Sequence, residues 1–169
     1  MKRRGFTLVE LIVVIGIIGI LAGIIIVAYN GIVQRAYLSR SLEETATLAK
    51  ATQLYYAKNK QYPPDVERNV PSAITPYING NATNWPVAPW PNSVYDYDYF
   101  TGSDGKQVAQ ISIRFCPIGG PLSACTFPKE SWAAGFQVNS SAYWCITGKC
   151  RAHPTESDTY PGYCLNCKP

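Results

Sequence analysis

The sequence predicts an α+β fold in which one long N-terminal helix packs on a small antiparallel β-sheet, with a C-terminal region stapled by disulfides. Three observations lead to this prediction. A continuous apolar run opens the chain, short alternating segments follow in its middle, and all six cysteines lie in its last third. We divide the chain into a basic leader (1–5), a transmembrane helix (6–29), an amphipathic helix (30–60) and a globular head (61–169).

The apolar run is long enough to cross a membrane. Residues 6–29 carry one charged side chain, Glu10, and as a helix they extend roughly 36 Å, more than the ~30 Å of a bilayer core. A secretory signal peptide has a shorter apolar region followed by small residues at its cleavage site, and residues 28–31 offer no such site. A carboxylate is costly inside such a segment, so Glu10 is a functional candidate that needs a partner.

The basic leader sets the orientation of the apolar run. Lys2, Arg3 and Arg4 precede it, and positive charges flanking a spanning helix stay in the cytoplasm. We therefore expect the amino end inside the cytoplasm and everything after Tyr29 outside it.

A second helical pattern follows residue 31. Apolar residues recur there at spacings of three, four and seven, which is typical of one helical stripe: Leu38, Leu42, Ala46, Ala49 and Tyr56. The helix should stop near Lys60, because Tyr62-Pro63-Pro64 cannot continue it. We expect the stripe to pack against the sheet.

The middle of the chain carries strand signals. Tyrosines alternate with acids over residues 95–99, a turn follows at 102–105, and residues 108–115 alternate again. A further hairpin is expected at 135–146, turning around 139–141. Together these segments predict an antiparallel sheet of three or four strands, which needs the helix on one face to be stable.

The cysteines predict a disulfide framework, since their number is even and the topology places them outside the cytoplasm. They are Cys116, Cys125, Cys145, Cys150, Cys164 and Cys167. Six cysteines allow 15 connectivities, so the sequence does not fix the pairing; we favour the three local pairs in that order. The alternative is a zinc site built from the last four cysteines, whose spacing is tolerable for four thiolate ligands.

The composition gives no sign of catalysis and only weak support for nucleic-acid binding. His153 is the only histidine, and no nucleophile–base pair or phosphate-binding glycine loop appears, so we expect no enzyme and no cofactor. Loss of the leader would leave 12 positive and 11 negative side chains, a balance of +1 in place of +4. A local patch of Lys149, Arg151 and Lys168 is the remaining candidate for contact with nucleic acid.

The opening residues Lys2 to Leu11 carry a specific resemblance. They resemble the start of a type IV prepilin or a type II secretion pseudopilin, which joins a basic leader, a glycine (Gly5), a phenylalanine (Phe6) and a glutamate four residues later (Glu10). The resemblance implies the pilin fold, cleavage between Gly5 and Phe6 by prepilin peptidase, and methylation of the new amino group. It also implies polymerisation of the chain with itself by an assembly platform and its ATPase.

The chemistry of the cut supports this implication. Cleavage would remove the leader charges and leave a free amine on Phe6, with an ordinary pKa near 8, about one helical turn from Glu10. The two charges would then pair within one chain or between neighbouring subunits. A buried charge left unpaired costs several kcal/mol, so the pair would penalise wrong registers strongly even if it adds little net stability.

The resemblance implies a structural subunit of a type IV pilus, serving adhesion, twitching motility or DNA uptake. The subunit would be anchored in the cytoplasmic membrane before assembly and would lie on the cell surface afterwards. Two alternatives stay open: a pseudopilin of a secretion machine, and a minor pilin whose head binds a ligand or DNA.

Metal binding is a separate expectation. The order of segments in the head is also similar to major pseudopilins, in which a calcium ion is bound nearby, and this makes Asp96, Asp98 and Asp104 weak calcium candidates. Calcium prefers six to eight oxygen ligands, however, and alternating acids are equally typical of the solvent face of a strand.

Overall fold

The computed structural model describes residues 7–78, 86–154 and 160–167, without the side chains of residues 25–28 and 30. The chain forms two compact units, Met1–Ala36 and Tyr37–Pro169. The predicted processing residues Gly5 and Phe6 lie outside the described residues, as does Lys168.

The single α-helix of the described residues, α1, spans Leu8–Asn59. It ends where expected: Lys60 has a left-handed φ of 60°, and the following Tyr62-Pro63-Pro64 cannot continue a helix. Within the described residues, no helix is both long enough and apolar enough to cross a membrane. The segment 6–29 reaches beyond those residues at Phe6 and at the side chains of 25–28, so its assignment as a membrane anchor stays a prediction.

The buried face of α1 differs from the predicted stripe. Tyr56 is 42% exposed, whereas Ser41, Thr45 and Thr52 are fully buried beside Leu48. Each of the three hydroxyls donates to the carbonyl four residues earlier, at 2.6–2.9 Å. These bonds satisfy the hydroxyls within the helix and allow them to be buried, which an apolar pattern alone does not reveal.

Four strands form one sheet in the order β1-β2-β3-β4. They are β1 (Val94–Thr101), β2 (Gln107–Arg114), β3 (Ser141–Thr147) and β4 (Gly162–Cys164). Short 3₁₀-helices span Ser72–Tyr77, Leu122–Ala124 and Ser131–Ala133. The predicted hairpin of β1 and β2 is confirmed.

Two predictions about the sheet are wrong. Residues 135–146 do not form a hairpin: a turn closed by Ser140 N donating to Gln137 O precedes one strand, β3. The sheet is also not wholly antiparallel, because β4 runs parallel to β3. Residues 148–161 separate β3 from β4, and this connection is long enough for the crossover that parallel pairing requires.

The core lies on the α1 side of the sheet. Tyr95 and Tyr97 of β1 are buried with Ile111 and Ile113 of β2, and Trp90 packs against Phe115 with ring centroids 5.5 Å apart. The alternate residues of β1 and β2 belong to the opposite face.

Candidate functional site

The N-terminal part of α1 exposes its apolar side chains. Twelve large aliphatic side chains between residues 8 and 24 are 45–73% exposed. They are Leu8, Val9, Leu11, Ile12, Val13, Val14, Ile15, Ile17, Ile18, Ile20, Leu21 and Ile24. A helix that is apolar all round is typically buried in a membrane or in a larger protein core.

Glu10 forms a capping box with Thr7 at the start of α1. Its carboxylate accepts hydrogen bonds from the Thr7 backbone N–H at 2.8 Å and from the Thr7 hydroxyl at 2.6 Å. The Glu10 N–H donates in return to the Thr7 hydroxyl at 3.3 Å. This reciprocal pattern satisfies donors that a helix start otherwise leaves unpaired, a role of Thr7 that our sequence analysis missed although the Thr-x-x-Glu spacing signals it.

The Thr7 bonds change the expected environment of Glu10. The sequence predicts one partner for the carboxylate, the Phe6 amine, which lies outside the described residues. In the structure the same carboxylate oxygen already accepts both Thr7 bonds. The second oxygen offers further lone pairs to an amine, so the cap and an ion pair are compatible.

The small residues of this segment leave open space around them. A Cβ added at Gly16, Gly19 or Gly23 would meet nothing within 4 Å. Small residues permit close backbone approach between packed apolar helices. Among the described residues, therefore, no contact within one chain requires a glycine at these three positions.

All six cysteines are paired. Cys116 bonds Cys125, Cys145 bonds Cys150 and Cys164 bonds Cys167, the same local pairs that the sequence analysis favoured. The zinc alternative is wrong, because its four thiolates are consumed in two of these disulfides.

The structure does not gather the calcium candidates into a metal site. Asp96 and Asp98 both bind Arg114, and the Asp104 carboxylate accepts from the Lys106 N–H in the β1–β2 turn. Over the described ranges there is no group of three or more His, Cys, Asp or Glu side chains that could hold a metal ion.

A buried ionic cluster occupies the face of the sheet opposite the core. Asp96 is 6% exposed, Asp98 3% and Arg114 2%. Arg114 Nε lies 2.8 Å from Asp96 Oδ2, and its Nη2 lies 2.8 Å from Asp98 Oδ1. The expectation that the two acids form a solvent-facing strand surface is therefore wrong, since an arginine from the neighbouring strand neutralises them.

The segment after β3 covers this cluster. Arg114 Nη1 and Ser141 Oγ both donate to the Ala152 carbonyl. Gln110 donates to the Arg151 carbonyl at 2.8 Å and accepts from the Arg151 N–H at 3.0 Å. The sheet thus holds residues 151–152 through backbone groups, which excludes water from the ion pairs beneath.

Burial changes the titration of the cluster. Desolvation and the neighbouring Asp98 raise the pKa of Asp96 to about 6, although Arg114 lowers it. Burial also raises the pKa of Asp65, whose carboxylate accepts from the Tyr99 N–H at 2.7 Å. A cleft of about 360 Å³ opens beside these acids, and His153 is half-buried in its wall.

The predicted basic patch is only partly free to contact a ligand. Lys149 is exposed, but the Arg151 guanidinium lies 4.9 Å from the Phe100 ring centroid and donates to the Pro154 carbonyl. Both line a cleft of about 550 Å³ with Tyr143 and Tyr160. Contact with nucleic acid stays a prediction.

Comparison with known proteins agrees with the N-terminal features. The family described as "Prokaryotic N-terminal methylation motif" matches residues 1–26. The chain is 37% identical to fimbrial protein EcpC of Eikenella corrodens over 82 residues, 48% of this chain and 52% of that protein. It is 39% identical to the type IV major fimbrial protein FimA of Dichelobacter nodosus over 59 residues, 35% of this chain and 38% of that protein.

A longer match extends into the head. The chain is 30% identical to the type II secretion system core protein G of Escherichia coli over 127 residues, 70% of this chain and 84% of that protein. The chain spans about half the length of the Eikenella protein and of the core protein G of Pectobacterium carotovorum. No solved structure matches it.

These similarities and the fold define the class: a helix-plus-sheet subunit that starts with a prepilin methylation motif. The chain belongs to the family of type IV pilins and type II secretion pseudopilins.

Proposed function

We propose that the chain is the structural subunit of a type IV pilus, which polymerises through residues 6–29 into a surface filament. The observation that carries this proposal is the continuous exposure of the aliphatic side chains between Leu8 and Ile24. Monomeric soluble proteins rarely expose an apolar surface of this kind, and large apolar patches mark contacts with proteins or membranes.

The same segment serves in two environments under this proposal. The precursor is anchored in the cytoplasmic membrane with its amino end inside, as Lys2, Arg3 and Arg4 favour. The assembled subunit exchanges lipid for the helices of neighbouring copies, and the absence of side chains at Gly16, Gly19 and Gly23 permits close approach there.

Processing completes the assembly site. Prepilin peptidase cuts between Gly5 and Phe6, and the new Phe6 amine is methylated. Glu10 then pairs with the amine of its own chain or of an incoming subunit, while Thr7 holds the carboxylate in the capping box. Subunit addition by the assembly platform and its ATPase repeats one heterologous contact, which gives an open helical filament.

The head supplies the outer surface of the filament. Its three disulfides and buried ionic cluster stabilise a loop-rich domain, and each disulfide contributes up to a few kcal/mol. The role is structural, in adhesion, twitching motility or DNA uptake, and needs no catalytic group.

A pseudopilin of a secretion machine is the second candidate. It is favoured by the Escherichia coli match, which covers 84% of core protein G and so includes the head. A pseudopilin would form a short piston within the envelope and no long surface fibre.

Immunogold electron microscopy with antibody against the head separates the two candidates. We expect long decorated fibres that are lost when the gene for this chain is deleted and return on complementation. Label confined to the envelope at native expression would contradict the pilus proposal and support the pseudopilin. Label at fibre tips alone would contradict a major subunit and support a minor pilin.

A further inference from the structure

The three disulfides differ in accessibility and in the loops that they close. Cys116 is 2% exposed, and its bond to Cys125 closes a separation of nine residues. Cys145 and Cys150 are half-buried and five residues apart. Cys164 and Cys167 are three residues apart, and Cys167 is exposed. We propose that the Cys164–Cys167 disulfide is a thiol–disulfide exchange site, attacked by an external thiolate at Cys167.

Access makes Cys167 the sulfur that is attacked. Exchange requires a thiolate to reach one sulfur of the disulfide, so its rate depends on which sulfur is accessible. Cys167 and its neighbour Asn166 are exposed, whereas Cys164 lies in β4 and is half-buried. The alternative site, Cys145–Cys150, has two half-buried cysteines.

The backbone around the bond makes Cys164 the leaving sulfur. The Cys167 N–H points at Cys164 Sγ, with a nitrogen–sulfur distance of 3.1 Å. A hydrogen bond from this N–H stabilises the negative charge that develops on Cys164 Sγ as the disulfide breaks, and a stabilised thiolate leaves faster. The same short spacing of two cysteines lowers thiol pKa values in other proteins.

The exchange balances with a dithiol as the reductant. One of its thiolates attacks Cys167 Sγ, the Cys164–Cys167 bond breaks, and the electron pair leaves on Cys164 Sγ, which takes up a proton from water. The second thiolate of the dithiol then attacks the sulfur of the reductant in the mixed disulfide and releases the Cys167 thiolate. The protein gains two electrons, and the dithiol is oxidised to a disulfide.

The bond controls how the C-terminal segment is attached to the sheet. Asn166 lies inside the ring that the disulfide closes. Its side-chain amide makes two hydrogen bonds with the Cys145 backbone, as a paired strand residue would: Oδ1 accepts from the Cys145 N–H and Nδ2 donates to its carbonyl, both at 2.8 Å. The Leu165 N–H donates to the Tyr143 carbonyl at 2.7 Å. Reduction frees the backbone that holds these groups in place and so loosens residues 162–167 from β3.

The rest of the head should survive this reduction. In the chain-entropy description, a disulfide stabilises less when its loop is shorter, and the Cys164–Cys167 loop is the shortest of the three. The C-terminal segment adds only the partly buried Tyr163 and Leu165 to the core, whereas Ile111 in β2 pairs with β1 and β3. The disulfide therefore acts on local attachment.

Graded reduction of the oxidised full-length protein in detergent tests the site. The protein is incubated with increasing dithiothreitol, quenched with iodoacetamide and mapped by peptide mass spectrometry. We expect Cys164 and Cys167 to be alkylated at a dithiothreitol concentration at least about tenfold below that needed for the other four cysteines. Earlier reduction of Cys145–Cys150 or Cys116–Cys125, or simultaneous reduction of all three bonds, would overturn the proposal.

Two further measurements test which sulfur is attacked and whether reduction loosens the C-terminal segment. With glutathione as the probe and a rapid acid quench, tandem mass spectrometry should find the adduct on Cys167; an adduct mainly on Cys164 would contradict the assigned leaving group. Hydrogen exchange after selective reduction should speed up at the Cys145 and Leu165 amides and stay unchanged at Ile111. Unchanged exchange at Cys145 would refute the loosening of the segment.

Two variants separate the Asn166 contact with Cys145 from the Cys164–Cys167 disulfide itself. Asn166→Ala removes the side-chain contact with Cys145 and keeps the disulfide, so we expect faster reduction of Cys164–Cys167 with the other two bonds unaffected. Asn59→Ala is the matched control, because Asn59 is exposed at the end of α1 and donates only to the Tyr55 carbonyl among the bonds seen for it. Equal reduction rates in both variants would contradict the role of Asn166.

Discussion

The N-terminal segment and the head distribute polarity in opposite ways. Between residues 8 and 24 the aliphatic side chains are exposed, whereas in the head Asp96, Asp98 and Arg114 are almost completely buried. The head satisfies its charges internally, through paired side chains and backbone carbonyls. The aliphatic side chains of residues 8–24, in contrast, are left exposed within the part of the chain that the structure describes. The difference indicates that the head pairs its buried charges within itself, whereas the N-terminal segment needs lipid or neighbouring subunits to bury its apolar side chains.

Removal of the arginine should give the largest effect on the head. Arg114→Met leaves Asp96 and Asp98 buried without their ion-pair partner, and breaking a buried ion pair from one side costs about 3–5 kcal/mol. Urea denaturation of the full-length protein in detergent, followed by tryptophan fluorescence, measures the loss in free energy of unfolding.

An ion pair on α1 whose arginine is exposed and whose glutamate is half-buried provides the control for Arg114. Arg40 lies 2.7 Å from Glu44 and its side chain is 50% exposed, so Arg40→Met should cost only about 0–1 kcal/mol. Similar losses in the two variants would contradict the distinction between buried and exposed charges.

The stability of the head should also depend on pH. The pKa of Asp96 is raised from 3.8 to about 6 in the folded head, so the folded state binds this proton more tightly than the unfolded chain between pH ~4 and ~6. The free energy of unfolding therefore rises as pH falls through this window, by on the order of 2 kcal/mol from this group.

Replacement of the titrating group isolates its contribution. Asp96→Asn replaces the titrating carboxyl with an amide that is neutral at every pH, so the variant should lose most of the increase between pH 6 and pH 4. At pH 7 it should be at least as stable as the natural chain, because it buries no charge at this position. Urea unfolding at several pH values gives both quantities. An unchanged pH slope in the variant would assign the effect to another acid.

Glycine substitutions compare the two regions directly. Gly148 has a φ of +77°, and an added Cβ would lie 2.6 Å from the Gln107 carbonyl oxygen, so Gly148→Ala should destabilise the head by about 1–3 kcal/mol. Gly19→Ala meets open space and should leave the melting temperature of the detergent-solubilised subunit unchanged. A comparable loss at Gly19 would show that the segment already packs within one subunit.

Much of the fold was predictable because local signals decide it. The stop of α1 follows from Tyr62-Pro63-Pro64, and the β1–β2 hairpin follows from alternation around the turn at 102–105. The short loops between cysteines likewise favoured local disulfide pairs.

The remaining features depend on partners that are distant in sequence. Asp96 and Asp98 have the pattern of a solvated strand face, and only the register of β1 with β2, which pairs Arg114 with Val94, brings the Arg114 side chain within reach of both acids. The three-residue β4 has no alternation long enough to recognise, and its parallel pairing is set by the return of the chain after β3. The Thr7–Glu10 capping box, in contrast, follows a local signal, because Thr-x-x-Glu ahead of an apolar run is the pattern of a helix start.

The Glu10→Val variant tests whether the chain needs the Glu10 carboxylate to assemble into filaments. Membrane fractionation and immunoblotting of sheared filaments are compared between cells that express the natural chain, Glu10→Val and the control Glu43→Val, which removes an exposed glutamate from the C-terminal half of α1. We expect normal membrane content for all three chains and a filament yield at least about tenfold lower for Glu10→Val alone, since an amine left unpaired in the filament costs several kcal/mol. A normal filament yield from Glu10→Val would contradict this expectation.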